Sequence, residues 1–178
     1  MTLLLDTHVI IWALTNDPQL SMQARTLLSD PGNLVMVSAV SLWEIAMKNQ
    51  KSPQLCPYHE KVILDYCEKA GYLMMDIKPE HILTIRSLRV KPSRMIMNHD
   101  PFDRLLIAQA KSENCKLLSH DRNFENYDEE CIIQYEKALI ETWMPVISGI
   151  EKRAGNDRRR EYVRTSRRRY GLFYFSII

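Results

Sequence analysis

His99-Asp100-Pro101-Phe102-Asp103-Arg104-Leu105-Leu106-Ile107-Ala108-Gln109-Ala110 is the stretch from which the rest of the chain is read. Asp100 followed by Pro101 is a helix N-cap with proline at the first helical position, where a missing N–H costs nothing. Asp103 then falls in the first turn, near the positive end of the helix macrodipole. Leu105, Leu106, Ala108 and Ala110 make the remainder apolar and small, suited to packing on a sheet. The helix opens with acid and is anchored by its body. Whether Asp103 only caps depends on which other carboxylates reach it.

Upstream, Leu3-Leu4-Leu5 reads as a short buried strand ending in Asp6, followed by a helical apolar pattern from His8 to Leu14 that Asn16-Asp17-Pro18 breaks. Ser21 caps a helix through Leu28, Asp30-Pro31-Gly32-Asn33 is a turn, and Leu34 to Val37 is a second buried strand. Ser38 or Ser41 starts the next helix, with Ser41-Leu42-Trp43-Glu44 fitting the S-x-x-E capping box. Trp12 and Trp43 fall at helical apolar positions and are expected in the core. Lys48 to Pro57 reads as a polar linker, and Tyr58 to Ala70 as a helix closed by Gly71. Strands follow at about Tyr72–Ile77, Cys115–Leu118 and Cys131–Gln134, with a short helix opened by Pro79 and a basic loop over residues 89–94. Strands alternating with helices predict a three-layer α/β/α fold around a parallel sheet of about five strands, with right-handed crossovers.

In such a sheet functional groups collect at the carboxyl ends of the strands. Asp6 and Asp121 each follow an apolar run directly, and Glu44 and Asp103 are expected in first helical turns entered from the same edge. Four acids separated by 38, 59 and 18 positions are thus expected to converge on one pocket. Two carboxylates ~5 Å apart repel by about 3 kcal/mol at an effective dielectric near 20. A fold keeps such a cluster when a cation occupies it or protons are shared. An all-oxygen set without Cys or His favours Mg2+ or Mn2+ over zinc, and such an ion suits phosphodiester chemistry. Taken singly, each acid also has a structural reading, as a turn former, a capping-box partner, a dipole partner or a cap.

Four segments, Leu3–His8, Val37–Ile45, Asp100–Ala110 and Leu117–Asp121, together resemble a PIN-domain ribonuclease, with the nearest likeness to the VapC-like toxins of bacterial toxin–antitoxin pairs. The likeness spans roughly residues 1–135. It implies a Mg2+- or Mn2+-dependent endoribonuclease acting on structured RNA such as tRNA, a cognate antitoxin partner and a homodimer, while the cysteines, lacking disulfide density, point to a cytoplasmic location. By the same likeness Asp6, Asp103 and Asp121 contact metal, while Glu44 completes the shell and orients the attacking water. Thr7 and Ser119 match small hydroxyl positions that hydrogen-bond the cluster, Ser119 standing where threonine is more usual. The alternative is a PIN-like module that binds RNA or protein without cutting.

Arg104, Arg122 and Arg94 are the basic residues placed to contact RNA backbone, with Arg86, Arg89 and Lys91 on the same loop path. His8, His99 and His120 flank the acids and are read as exposed or structural. The chain has 178 residues, 46% hydrophobic and 26% charged, with a formal charge of +2. Residues 151–178 carry nine Lys or Arg against three Asp or Glu, so a strongly basic tail follows a mildly acidic body. Residues 136–178 are read as a C-terminal helix and a flexible basic tail. Four cysteines without C-x-x-C spacing are expected as free thiols, and no apolar run reaches the roughly 18 residues of a membrane span.

Overall fold

A computed structural model describes residues 1–54, 56–92 and 100–135. Arg94, His99 and the tail from residue 136 lie outside the described residues. Five strands, β1 (Thr2–Leu5), β2 (Leu34–Ser38), β3 (Leu73–Met75), β4 (Lys116–Ser119) and β5 (Ile132–Gln134), form one sheet in the order β3-β2-β1-β4-β5. Every pairing is parallel. Six helices connect them among the described residues: α1 (Thr7–Thr15), α2 (Met22–Ser29), α3 (Ala39–Lys51), α4 (Glu60–Lys69), α5 (Pro79–Thr84) and α6 (Pro101–Ser112). Two 3-10 turns, Ile85–Ser87 and Arg122–Asn126, complete the set.

Alternation along β1 divides the core. Leu3 and Leu5 face Val9, Ile10, Trp12, Ala24, Ile63 and Cys67 from α1, α2 and α4, whereas Leu4 faces Leu106, Ile107 and Ala110 of α6 with Phe124. Helix α3 contributes to both sides, Ile45 to the first and Val40 to the second. With both faces covered, Leu3, Leu4 and Leu5 of β1 and Leu117 and Leu118 of β4 are fully buried, as the leucine runs predict. The expected three-layer α/β/α architecture with a five-stranded parallel sheet is what the structure contains.

Local signals explain most boundaries. Ser21 Oγ accepts the Ala24 N–H at 3.2 Å, Asp100 Oδ1 accepts the Phe102 N–H at 2.8 Å, and Asn16 ends α1 in the left-handed region with φ 54°. Gly71 follows α4 at φ 77°, a conformation a side chain would strain. Three expectations need correction. Ser38, not Ser41, caps α3: its hydroxyl accepts the Val40 N–H at 2.9 Å, so the Ser41–Glu44 capping box does not form and Glu44 lies in the second turn, not the first. Helix α3 continues through Lys51, so Lys48 belongs to a helix and not to a linker. Trp43 is 52% exposed and not core, although Trp12 is buried as expected. The four cysteines are free, three of them buried.

A second feature ties the layers together on the far side of α6. The fully buried Gln109 side chain accepts from Ser38 Oγ at 2.5 Å and donates to the Asp76 carbonyl at 3.2 Å. His81, also fully buried, accepts the Lys78 N–H at Nδ1 and therefore carries its proton on Nε2, which is 2.9 Å from Glu113 Oε1. Lys78 Nζ reaches the same carboxylate at 2.7 Å, and these two hydrogen bonds hold Glu113 below the usual carboxylate range.

Candidate active site

The chain moves from β1 out to β2 and β3, then crosses back to place β4 on the other side of β1. That reversal opens a crevice at the carboxyl ends of β1 and β4, the position where open α/β sheets gather ligands. Asp6 and Asp121 stand at its two sides, one residue beyond β1 and two beyond β4. The Asp6 N–H donates to the Leu118 carbonyl at 3.1 Å, extending the ladder to the point where the side chains diverge.

Two buried hydroxyls fix the geometry. Ser119 Oγ donates to Asp6 Oδ2 at 2.7 Å while accepting the Asp121 N–H at 3.0 Å, so one serine links the ends of both central strands. Thr7, the first residue of α1, donates through Oγ1 to Glu44 Oε2 at 2.5 Å and joins α1 to α3. Thr7 and Ser119 therefore hold carboxylates, as the family likeness implies. The other oxygen of Glu44, Oε1, pairs with Lys48 Nζ at 2.5 Å one helical turn on. Asp100 serves as the N-cap, the role expected of it. Asp121 Oδ1 accepts the Asn123 N–H at 2.9 Å, so Asp121 caps the following 3-10 turn as well as facing the crevice. Among the described residues the half-buried Asp103 carboxylate has no hydrogen-bond partner.

Electrostatics show that the acids feel one another. Burial, followed by the charges of Asp6, Asp100, Asp121 and Glu44, pushes the Asp103 carboxyl up to about 8 from an ordinary value of 3.8. Burial also raises Asp6, with Glu44 adding to the rise, while the Ser119 hydrogen bond and the charge of His8 oppose it. Burial pulls the Lys48 ammonium down, but the hydrogen bond and charge of Glu44, with Asp100 and Asp6, outweigh it and the net shift is upward. The structure thus brings together Asp6, Glu44, Asp103 and Asp121 from four separate elements. Among the described residues no three His, Cys, Asp or Glu side chains stand in a closed metal-ligating arrangement. Each of Asp6 and Glu44 has an oxygen engaged by a neighbouring hydroxyl, and a lysine engages the other oxygen of Glu44. The donor set is nonetheless all carboxylate oxygen, with Asp6 and Glu44 buried and Asp103 and Asp121 partly so, a chemistry that suits a hard divalent ion.

The remaining candidates divide. Arg104 is half-buried next to Asp103 and lies near Tyr127, whose hydroxyl burial raises to about 12 although the Arg104 charge opposes the rise. Its Nε has no hydrogen-bond partner among the described residues. Arg122 is exposed beside Asp121. Arg89 lies 4.0 Å from Glu129, and Arg86 and Lys91 are exposed. His120 packs edge-on against Trp12 with ring centroids 4.2 Å apart, and His8 lies 6.0 Å from the same indole, in keeping with structural roles. Lys48 is the residue that sequence reasoning missed. The Glu44–Lys48 spacing of four is its signal, hidden when the polar segment from Lys48 reads as a linker.

Comparison with protein families matches residues 3–130 to the PIN domain. None of the curated proteins compared matches the sequence. Among solved structures, a chain of VapBC2 from Rickettsia felis, crystallised with a DNA fragment from their promoter, is similar with a TM-score of 0.56 at 19% identity. That match covers 77% of this chain and 99% of the other. A chain of DNA-bound VapBC from Salmonella typhimurium gives 0.53 at 18% identity, covering 75% and 98%. At such identities the likeness is one of fold.

Proposed function

This chain belongs to the PIN-domain family, and from that premise we propose that it is a Mg2+- or Mn2+-dependent endoribonuclease that hydrolyses phosphodiester bonds of structured RNA such as tRNA. One observation carries the reading: Asp6, Glu44, Asp103 and Asp121, from distant positions, share one strand-end site, where burial first and then the charges of Asp6, Asp100, Asp121 and Glu44 push the Asp103 carboxyl up to about 8. A purely structural site would pair these charges. Here only Glu44 has a cationic partner, Lys48, and Asp6, Asp103 and Asp121 have no ion pair among the described residues.

In this reading Asp6, Asp103 and Asp121 hold the ion, and Glu44 completes the set. When bound, a divalent ion supplies Lewis-acid polarisation of a phosphoryl oxygen and lowers the pKa of water. The chain's own residues do the positioning. Ser119 orients Asp6, and Thr7 and Lys48 hold the two oxygens of Glu44, which would orient the attacking water. Arg104 and Arg122 flank the acids with charge suited to RNA backbone. The toxin role, a cognate antitoxin and a homodimer extend the same proposal, supported by neighbours in fold that are VapBC proteins. A cytoplasmic location is part of it too. Among the described residues no helix is long and apolar enough to cross a membrane.

The test is cleavage of RNA by the purified full chain. Activity is expected with Mg2+ or Mn2+ and not with EDTA, and Asp103→Asn is expected to lose roughly a thousandfold while keeping its fold. Cleavage by Asp103→Asn at the wild-type rate overturns the assignment. The open ligand set in the metal-free fold favours a second reading, a non-cleaving RNA- or protein-binding module. Retained RNA binding without cleavage in either ion selects it.

A further inference from the structure

Lys48 sits where no acidic metal site needs a cation of its own. Its ammonium is 2.5 Å from Glu44 Oε1, and the charges it faces beyond Glu44 are those of Asp100 and Asp6, from α6 and the end of β1. The Glu44 side chain is 6% exposed and that of Lys48 is 47% exposed. The carboxylate is therefore fixed inside, and the lysine reaches it from the solvent side along four flexible methylenes. Since Thr7 already holds Oε2, Lys48 gives the second oxygen of Glu44 a partner as well.

We propose that Lys48 is a resident counter-ion of the acidic pocket, a positioning residue that holds Glu44 in the metal-free fold and competes with the divalent ion for Glu44 Oε1. This rests on the nuclease reading above and goes beyond it. Without an ion, one ammonium offsets part of the repulsion among four carboxylates and keeps α3 and α1 in register through Glu44. When an ion enters, the ammonium either withdraws into solvent or leaves Glu44 outside the inner shell. Either way the lysine weakens divalent binding, because a monovalent and a divalent cation repel across one low-dielectric pocket. The exposed stem keeps that opposition modest. The pocket is thereby tuned to bind its ion less tightly than its carboxylate count allows.

Mn2+ binding to the full chain, without RNA, measured by titration calorimetry alongside thermal melting, tests the inference. Lys48→Met is expected to bind Mn2+ about tenfold tighter than wild type. Its metal-free form should melt lower and recover the wild-type loaded value once Mn2+ saturates it. Lys48→Arg, which keeps the charge, should stay within about threefold of wild type in affinity. If Lys48→Met does not fold, Lys48→Gln carries the same expectation. Equal or weaker Mn2+ binding by the neutral variants, with wild type binding normally, overturns the role of Lys48 and leaves the nuclease reading standing. Failure of wild type and variants alike to bind Mn2+ overturns the nuclease reading itself.

Discussion

Helix α6 carries two buried polar clusters, one at each end, and they are built on opposite principles. At its first turn Asp103 enters a crevice already holding Asp6, Glu44 and Asp121, all of one sign. Six residues on, Gln109 begins a chain through Ser38, His81 and Glu113 in which donors and acceptors alternate. The second cluster completes itself: Ser38 gives to Gln109, Lys78 and His81 give to Glu113, and the anion is held low. The first is left with raised proton affinities and a carboxylate without a partner. One helix thus separates polar groups that satisfy one another from carboxylates that repel one another.

Breaking the self-sufficient cluster should cost the fold more and the site less. His81→Ala removes a fully buried ring, leaves the Lys78 N–H without its acceptor and Glu113 with Lys78 alone, and is expected to cost about 2–4 kcal/mol. Urea unfolding measures it, and Mn2+ affinity of the folded fraction should be unchanged. A comparable loss of metal affinity would mean the two clusters are coupled through α6.

The acidic cluster should respond in the other direction when a cation is supplied. Mn2+ at a hundred times its dissociation constant is expected to stabilise the protein by about 2.7 kcal/mol, seen as a melting temperature several degrees higher. An unchanged melting temperature at saturation removes the difference between the clusters.

The smallest effect is the most diagnostic. Asp103 binds its proton more tightly in the folded state, to about 8, than the ordinary 3.8 of an unfolded chain. The native state therefore holds more protons between these values, and metal-free stability should fall as pH rises from about 4 to about 8. Asp103→Asn, which carries no charge, is expected to stabilise the metal-free protein by about 2 kcal/mol at pH 8.5 and by nothing at pH 3.5. Denaturant midpoints at the two pH values check it. Stabilisation of equal size at both would trace the effect to packing instead of charge.

The contrast also marks what sequence reveals. The acidic cluster was legible because its members follow leucine runs or open helices, so strand and helix placement alone put Asp6, Asp103 and Asp121 on one edge. The His81–Gln109 chain was not, since nothing in a short helix opened by Pro79 says that a histidine two residues later is fully buried. Glu44 shows the middle case. It was placed on the correct edge, but the wrong serine was a candidate to cap its helix, because Ser38 and Ser41 offer the same hydroxyl three residues apart. Only the end of β2 decides between them: the strand runs to Ser38, which leaves Ser41 buried inside the helix. Trp43 misled for a related reason. Helical periodicity assigns it an inward face, yet it is half exposed, and its indole packs T-shaped with Phe102 of α6, 4.8 Å between centroids.

A last consequence comes from the strand order. β1 is made first but takes one neighbour near position 35 and the other near position 117. Asp6 cannot meet Asp121 until both have left the ribosome, which at ~5–20 residues per second is a delay of about 6 to 23 s. Every shorter nascent chain lacks a side of its own crevice. The protein is translated with its chemistry withheld, and the timer is the topology.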